Sequence, residues 1–151
     1  MDKGIYCLIF RNPACSQIVG ALGEIRFRPG WHIYVGSALG SGGLARLERH
    51  VKLAALKDKR PKWHVDSLLT SDLFRLDGTV FATTAEPREC ELAEAVGGPC
   101  IPRFGCSDCD CPSHLFFRRH SPYTEVKEAF RTMGLVPAAT ILRGNGSKGY
   151  L

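Results

Sequence analysis

Tyr34, Arg46 and His50 fall in one short stretch, Trp31-His32-Ile33-Tyr34-Val35-Gly36 followed by Leu44-Ala45-Arg46-Leu47-Glu48-Arg49-His50-Val51. Tyr6 stands in an earlier apolar run that opens Gly4-Ile5-Tyr6. Glu94 stands in an acidic segment, Arg88-Glu89-Cys90-Glu91-Leu92-Ala93-Glu94-Ala95. Two phenols, a guanidinium, an imidazole and a carboxylate suit phosphodiester hydrolysis. That reaction loads negative charge onto a phosphorus centre and expels an alkoxide. It needs a base or orienter for water, a cation for the phosphate and a metal for the leaving oxygen. Arg46 can pair with a phosphate in bidentate fashion. One carboxylate with waters and phosphate oxygens makes an ordinary Mg²⁺ site, because Mg²⁺ keeps much of its hydration. A tyrosine, whose ordinary pKa is about 10, becomes a base only beside positive charge. Each piece alone is common: among 13 arginines an Arg-x-x-x-His spacing arises easily by chance.

The elements that must position these groups follow from periodicity. Ile5 to Phe10 reads as a strand, with Tyr6, Leu8 and Phe10 on one face and Ile5, Cys7 and Ile9 on the other. Ser16 to Val19 and Glu24 to Phe27 read as a hairpin, and Trp31 to Val35 as the next strand. After the glycine-rich Gly36 to Gly43, a helix runs from about Leu44 to Leu56. Leu44, Leu47 and Val51 form its buried stripe, with Arg46 and His50 one turn apart on the flank. Pro61 to Leu69 reads as a short helix. Leu73 to Leu76 and Thr79 to Thr83 flank Asp77-Gly78, which is either a hairpin turn or a bulge in one strand. Pro87 to Val96 reads as a helix, His114 to Phe117 as a strand and Tyr123 to Met133 as a helix ended by Gly134. The expected fold is α/β (α+β): a small central, mostly antiparallel mixed sheet flanked by helices, in one domain over residues 1–136. Residues 137–151 read as a C-terminal extension with a mobile basic tail.

Taken in this order, the two tyrosine strands, the helix with Arg46 and His50, and the later acidic helix resemble the GIY-YIG nuclease family over roughly Gly4 to Val96. Lys62-Trp63-His64-Val65-Asp66-Ser67-Leu68-Leu69 and Gly105-Cys106-Ser107-Asp108-Cys109-Asp110-Cys111-Pro112-Ser113-His114-Leu115-Phe116 are similar to a little-characterised subgroup. Some members of that subgroup are fused to endonuclease III-type glycosylases. The resemblance implies a metal-dependent, repair-associated DNA endonuclease. It implies Tyr6 as the water-activating group, Tyr34, His50 and Gly36 in support, Arg46 on the phosphate, and Glu94 holding one Mg²⁺ or Mn²⁺, with Glu89 and Glu91 as the fallback positions. It requires Tyr6, Tyr34, Arg46, His50 and Glu94 to converge on one cleft. Members usually carry an asparagine after the acidic helix; this chain has none between Asn12 and Asn145. His64, Asp66, Asp108 and His114 could complete the cleft instead.

Cys106, Cys109, Cys111 and His114 have a spacing that could hold Zn²⁺. Reduced thiols crowded into one loop are the competing reading. The chain has 151 residues, a net charge of +5 and 44% apolar residues. That suits one domain with a real core and a polyanionic partner such as nucleic acid; it is the resemblance that implies DNA. Arg118, Arg119, Lys127 and the run from Arg143 to Lys148 could track a phosphate backbone. Protein partners are not indicated. No apolar run reaches the ~20 residues of a membrane helix. Seven cysteines with no secretory signal make reduced thiols in the cytoplasm the default. Two other readings stay open: a catalytically silent nucleic-acid-binding module of the same fold, and a small zinc-bearing interaction domain.

Overall fold

The computed structural model describes residues 2–106, 111–143 and 147–150. The strands are β1 (Gly4–Asn12), β2 (Cys15–Ile18), β3 (Glu24–Phe27), β4 (Gly30–Ala38), β5 (Arg75–Thr83), β6 (Leu115–Arg118), β7 (Ala138–Arg143) and β8 (Ser147–Tyr150). The helices are α1 (Ala45–Leu56), α2 (His64–Leu69), α3 (Glu89–Val96) and α4 (Tyr123–Thr132). The main sheet has the order β6-β4-β1-β5-β7-β8, and each of its pairings is antiparallel. β2 and β3 form a separate hairpin. This is the expected α+β architecture, a sheet flanked by helices.

β1 is the hub. Its side chains alternate between two cores, as the period of two requires. Tyr6, Leu8 and Phe10 join Leu47 of α1 and Val65, Leu68 and Leu69 of α2. Ile5, Cys7 and Ile9 join Leu92 of α3 and Val126 and Phe130 of α4. The sheet is thus the middle of three layers, and both faces of its central strands are apolar. α1 and α2 are joined at their ends by Lys57, whose ammonium donates to the carbonyls of Leu69 and Ser71 at 2.9 and 2.7 Å.

Asp77-Gly78 is a bulge, not a turn. β1 pairs Ile9 with Gly78 and then Phe10 with Leu76, so Asp77 is the extra residue on β5. The Tyr123 hydroxyl donates to the Asp77 carboxylate at 2.6 Å and ties α4 to the bulge. Only glycine fits at position 78, because a Cβ there would collide with that hydroxyl and with the Thr140 carbonyl.

The C-terminal extension expected from residue 137 is instead part of the sheet. β7 pairs with β5 from Gly78 to Phe81, and Ala139 and Leu142 are buried. Its alanines carry little strand propensity of their own, and it is the open edge of β5 that makes the segment a strand. Residues 144–146 of the expected tail lie outside the described residues. Among the described residues, no helix is long and apolar enough to cross a membrane.

Candidate active site

Tyr6, Tyr34, Arg46 and His50 converge on a cavity of about 370 Å³ between the sheet, α1 and α2. β1 and β4 deliver the tyrosines, and the register sets Tyr6 opposite Gly36. The Tyr6 ring lies across that glycine: a Cβ at position 36 would sit 2.6 Å from its Cζ and hydroxyl. The glycine of the second tyrosine motif is therefore the space into which the first tyrosine packs. α1 brings Arg46 and His50 to the same wall, one turn apart. The Tyr6 hydroxyl is 2.9 Å from His50 Nε2, and both side chains are buried. Arg46 donates to the Ser37 carbonyl at 2.8 Å, and its guanidinium lies 5.4 Å over the Trp63 ring.

The far wall is built by α2 and the loop before β6. His64 Nδ1 accepts the Gly105 N–H at 2.8 Å, so a neutral His64 ring carries its proton on Nε2. Gly105 has φ +72°, and a Cβ there would crowd both Tyr34 and His114 at 3.2 Å. His114 is buried and fixed by its backbone, which accepts from Val35 at 2.8 Å and donates to Phe104 at 2.9 Å. His64 and His114 both line the cleft.

Burial sets the protonation states. It holds His50 down at about 4, with Arg46 and Arg49 acting in the same direction and Asp66 against them. His50 is therefore neutral at pH 7. Burial, then repulsion from a charged Tyr34, pushes the Tyr6 phenol well above its ordinary value, with Arg46 opposing. Burial and the charge of Glu89 do the same to Tyr34. Both tyrosines hold their protons in the resting protein.

Three sequence candidates lie elsewhere. Glu94 is exposed and is not among the cleft-lining residues; Glu89, one of the two fallback positions, is. Five residues along an α-helix rotate a side chain by about 140°, so the two glutamates cannot share a face. Glu89 falls on the i, i+3, i+4 side with Leu92 and Ala93, which are buried against the sheet, and Glu94 falls outside it. Asp66 serves its own helix, since its carboxylate accepts the N–H groups of Lys62 and Trp63 at 2.9 and 3.1 Å and so caps α2. Arg118, expected on a phosphate track, pairs with Glu125 at 2.7 Å and donates to the carbonyls of Val96 and Gly97 at the end of α3. Asp108 and Cys109 lie outside the described residues.

The structure adds residues that sequence reasoning did not place in the site. Lys62 and Trp63 line the cleft, and Trp63 is 52% exposed. An exposed tryptophan between a lysine and a histidine at a helix start was the available signal. Beside the cleft a second cavity, of about 430 Å³, shares Arg46, His50, Lys62 and Trp63 with it. Arg49, Lys52, Lys59 and Arg60 extend that wall, against Asp58 and Asp66. The cysteines also regroup. Cys111 and His114 meet Cys90 of α3, and the three form a group able to hold a metal ion. Cys106, expected in that set, donates to the Phe104 carbonyl at 3.4 Å.

Fold and site together define an α+β domain with a tyrosine–histidine cleft opening onto a basic wall. The chain belongs to the family described as Domain of unknown function DUF123, whose model matches residues 5–135. This overturns the expected membership of the GIY-YIG nuclease family, since the matching family is one of unknown function and no GIY-YIG model matches. No curated protein and no solved structure matches the chain.

Proposed function

We propose that the cleft hydrolyses phosphodiester bonds in nucleic acid, DNA in the first instance, with one Mg²⁺ or Mn²⁺ held at Glu89. The observation that carries this reading is the buried Tyr6–His50 pair, 2.9 Å apart, at the wall of a cavity that also presents Arg46 and Glu89. Tyr6 is too firmly protonated to act as a free phenolate, so it works as a relay. In the tautomer with its proton on Nδ1, His50 accepts the Tyr6 proton at Nε2 while the Tyr6 oxygen takes one from the attacking water. A bound phosphodiester brings negative charge beside His50 and raises its affinity for that proton. Arg46, steadied by the Ser37 carbonyl and the Trp63 ring, neutralises the phosphate.

Glu89 fits a hard cation: among the described residues it is the carboxylate lining the cleft, and its charge is felt at Tyr6, Tyr34 and His114. A divalent ion there would stabilise the leaving oxygen while keeping much of its water. The basic wall from Arg49 to Lys62 supports a polyanionic substrate, and the Trp63 ring offers a face on which a base can stack.

Incubation with nicked, branched and single-stranded DNA in Mg²⁺ or Mn²⁺ tests the reading. Glu89→Gln should lower cleavage on the order of 10²-fold or more, and Glu94→Gln should leave it near wild type. Equal cleavage by wild type and Glu89→Gln would sink the mechanism. Binding without cleavage by any of the proteins would make the domain a nucleic-acid-binding module.

A further inference from the structure

We propose that Cys90, Cys111 and His114 bind a Zn²⁺ ion that clasps the first turn of α3 to the loop leading into β6. Cys111 Sγ lies 2.8 Å from His114 Nε2, and Cys90 Sγ lies 2.6 Å from Cys111 Sγ and 3.9 Å from His114 Nε2. All three donor atoms are within 4.8 Å of one another, close enough for one ion to reach them all. The donors come from segments far apart in sequence, so the sheet has to fold before they meet. Two of them, in Cys111-Pro112-Ser113-His114, are three residues apart.

The donor set decides the metal. Thiolate sulfur and imidazole nitrogen select Zn²⁺, whereas Mg²⁺ and Mn²⁺ prefer oxygen. This ion is therefore distinct from the one proposed at Glu89, and the inference does not rest on the nuclease reading. Three protein donors leave one position to water, and the ion's place between α3 and the loop before β6 lets it brace the cleft. Cys90 adjoins Glu89, and His114 is itself a cleft-lining residue. A metal joining them would fix the carboxylate on α3 against the histidine on the opposite loop, holding two cleft walls at one spacing.

The full-length chain, expressed with Zn²⁺ in the medium and purified without chelator, should carry about one zinc per chain by elemental analysis. Cys90→Ser and Cys111→Ser should lose most of it, and Cys15→Ser should keep it. Replacing the metal with Co²⁺ should give the sulfur-to-cobalt charge-transfer absorption that only thiolate ligation produces. A second measurement does not depend on the variants folding. In the wild type, alkylation of Cys90 and Cys111, located by mass spectrometry, should speed up on the order of tenfold when zinc is chelated. The proposal is overturned if the wild type neither carries zinc nor takes it up from added Zn²⁺. It is also overturned if folded Cys90→Ser keeps the wild-type content, if chelation leaves alkylation unchanged, or if Cys90 and Cys111 are joined as a disulfide.

Discussion

Two histidines, His32 and His50, are held neutral inside the fold, and each has a different reason to be there. His50 faces the cleft and the Tyr6 hydroxyl. His32 Nδ1 lies 2.7 Å from Asn12 Oδ1, and the Asn12 amide donates to the carbonyls of Pro13 and Arg28. The ring is enclosed by Phe27, Phe74 and Phe117 at 5.3 to 5.8 Å between centroids. Burial lowers each histidine from 6.5 to about 4. Below pH 6.5 the unfolded chain takes up protons that the folded chain refuses, so stability falls as pH drops from 6.5 towards 4 and is intact above 6.5. Each histidine should cost about 2 kcal/mol between pH 7 and pH 5. Urea denaturation at the two pH values measures this, and His32→Gln should remove about 2 kcal/mol of the difference. A slope unchanged in that variant would mean that His32 titrates normally. At this scale the sequence revealed much of the chemistry. The choice between Glu89 and Glu94 needed the orientation of α3, although the stripe that Glu89 shares with Leu92 and Ala93 was visible. Cys90 had no local signal, because its partners arrive from a distant loop.

Among the elements, the β1–β4 pair and α1 carry the site. The alternation of β1, the buried stripe of α1 and the spacing of Arg46 and His50 all follow from residue order, and these groups meet where the periodicity put them. The motifs Gly4-Ile5-Tyr6 and Tyr34-Val35-Gly36 report something local, a tyrosine packed over a glycine on the neighbouring strand. Such a contact serves any sheet that has to seat a tyrosine, which is why the motifs did not fix the family. Gly36→Ala should push the Tyr6 ring out of place and destabilise the fold by about 1–3 kcal/mol. If the cleft cleaves DNA as proposed, displacing Tyr6 by even an ångström should slow that cleavage by about 10²-fold. Chemical denaturation and the cleavage assay read the two effects separately, and a fully stable, fully active variant would refute the packing argument. β7 was missed because its strand character is borrowed from β5.

Across the whole molecule the positive charge is arranged as well as numerous. The chain's excess of +5 includes Arg49, Lys52, Lys59, Arg60 and Lys62 along one wall beside the cleft. Composition indicated a polyanionic partner, while the wall itself depended on α1 and α2 coming together. If that wall follows a phosphate backbone, DNA affinity should fall steeply with salt, with a log–log slope of about −0.9 per phosphate contact on duplex and about −0.7 on single strands. Changing Arg49, Lys52, Lys59 and Arg60 to glutamate should weaken binding and flatten that slope. Arg119→Glu, at a residue lining neither cavity, should do neither. Filter binding across a salt series distinguishes the two, and equal slopes would place the interface elsewhere.

The central position of β1 bears on how the chain is made. The strand precedes both of its neighbours, and the second of them, β5, ends only at Thr83. During synthesis β1 pairs first with β4, and α1 and α2 follow to cover the face bearing Tyr6, Leu8 and Phe10, leaving one edge and the opposite apolar face open until β5 has left the ribosome. α3 and α4, which cover the face bearing Ile5, Cys7 and Ile9, arrive later still. A ribosome-bound intermediate stalled before Arg75 would expose a bare strand edge to neighbouring chains, and this is the stage at which aggregation would compete with folding.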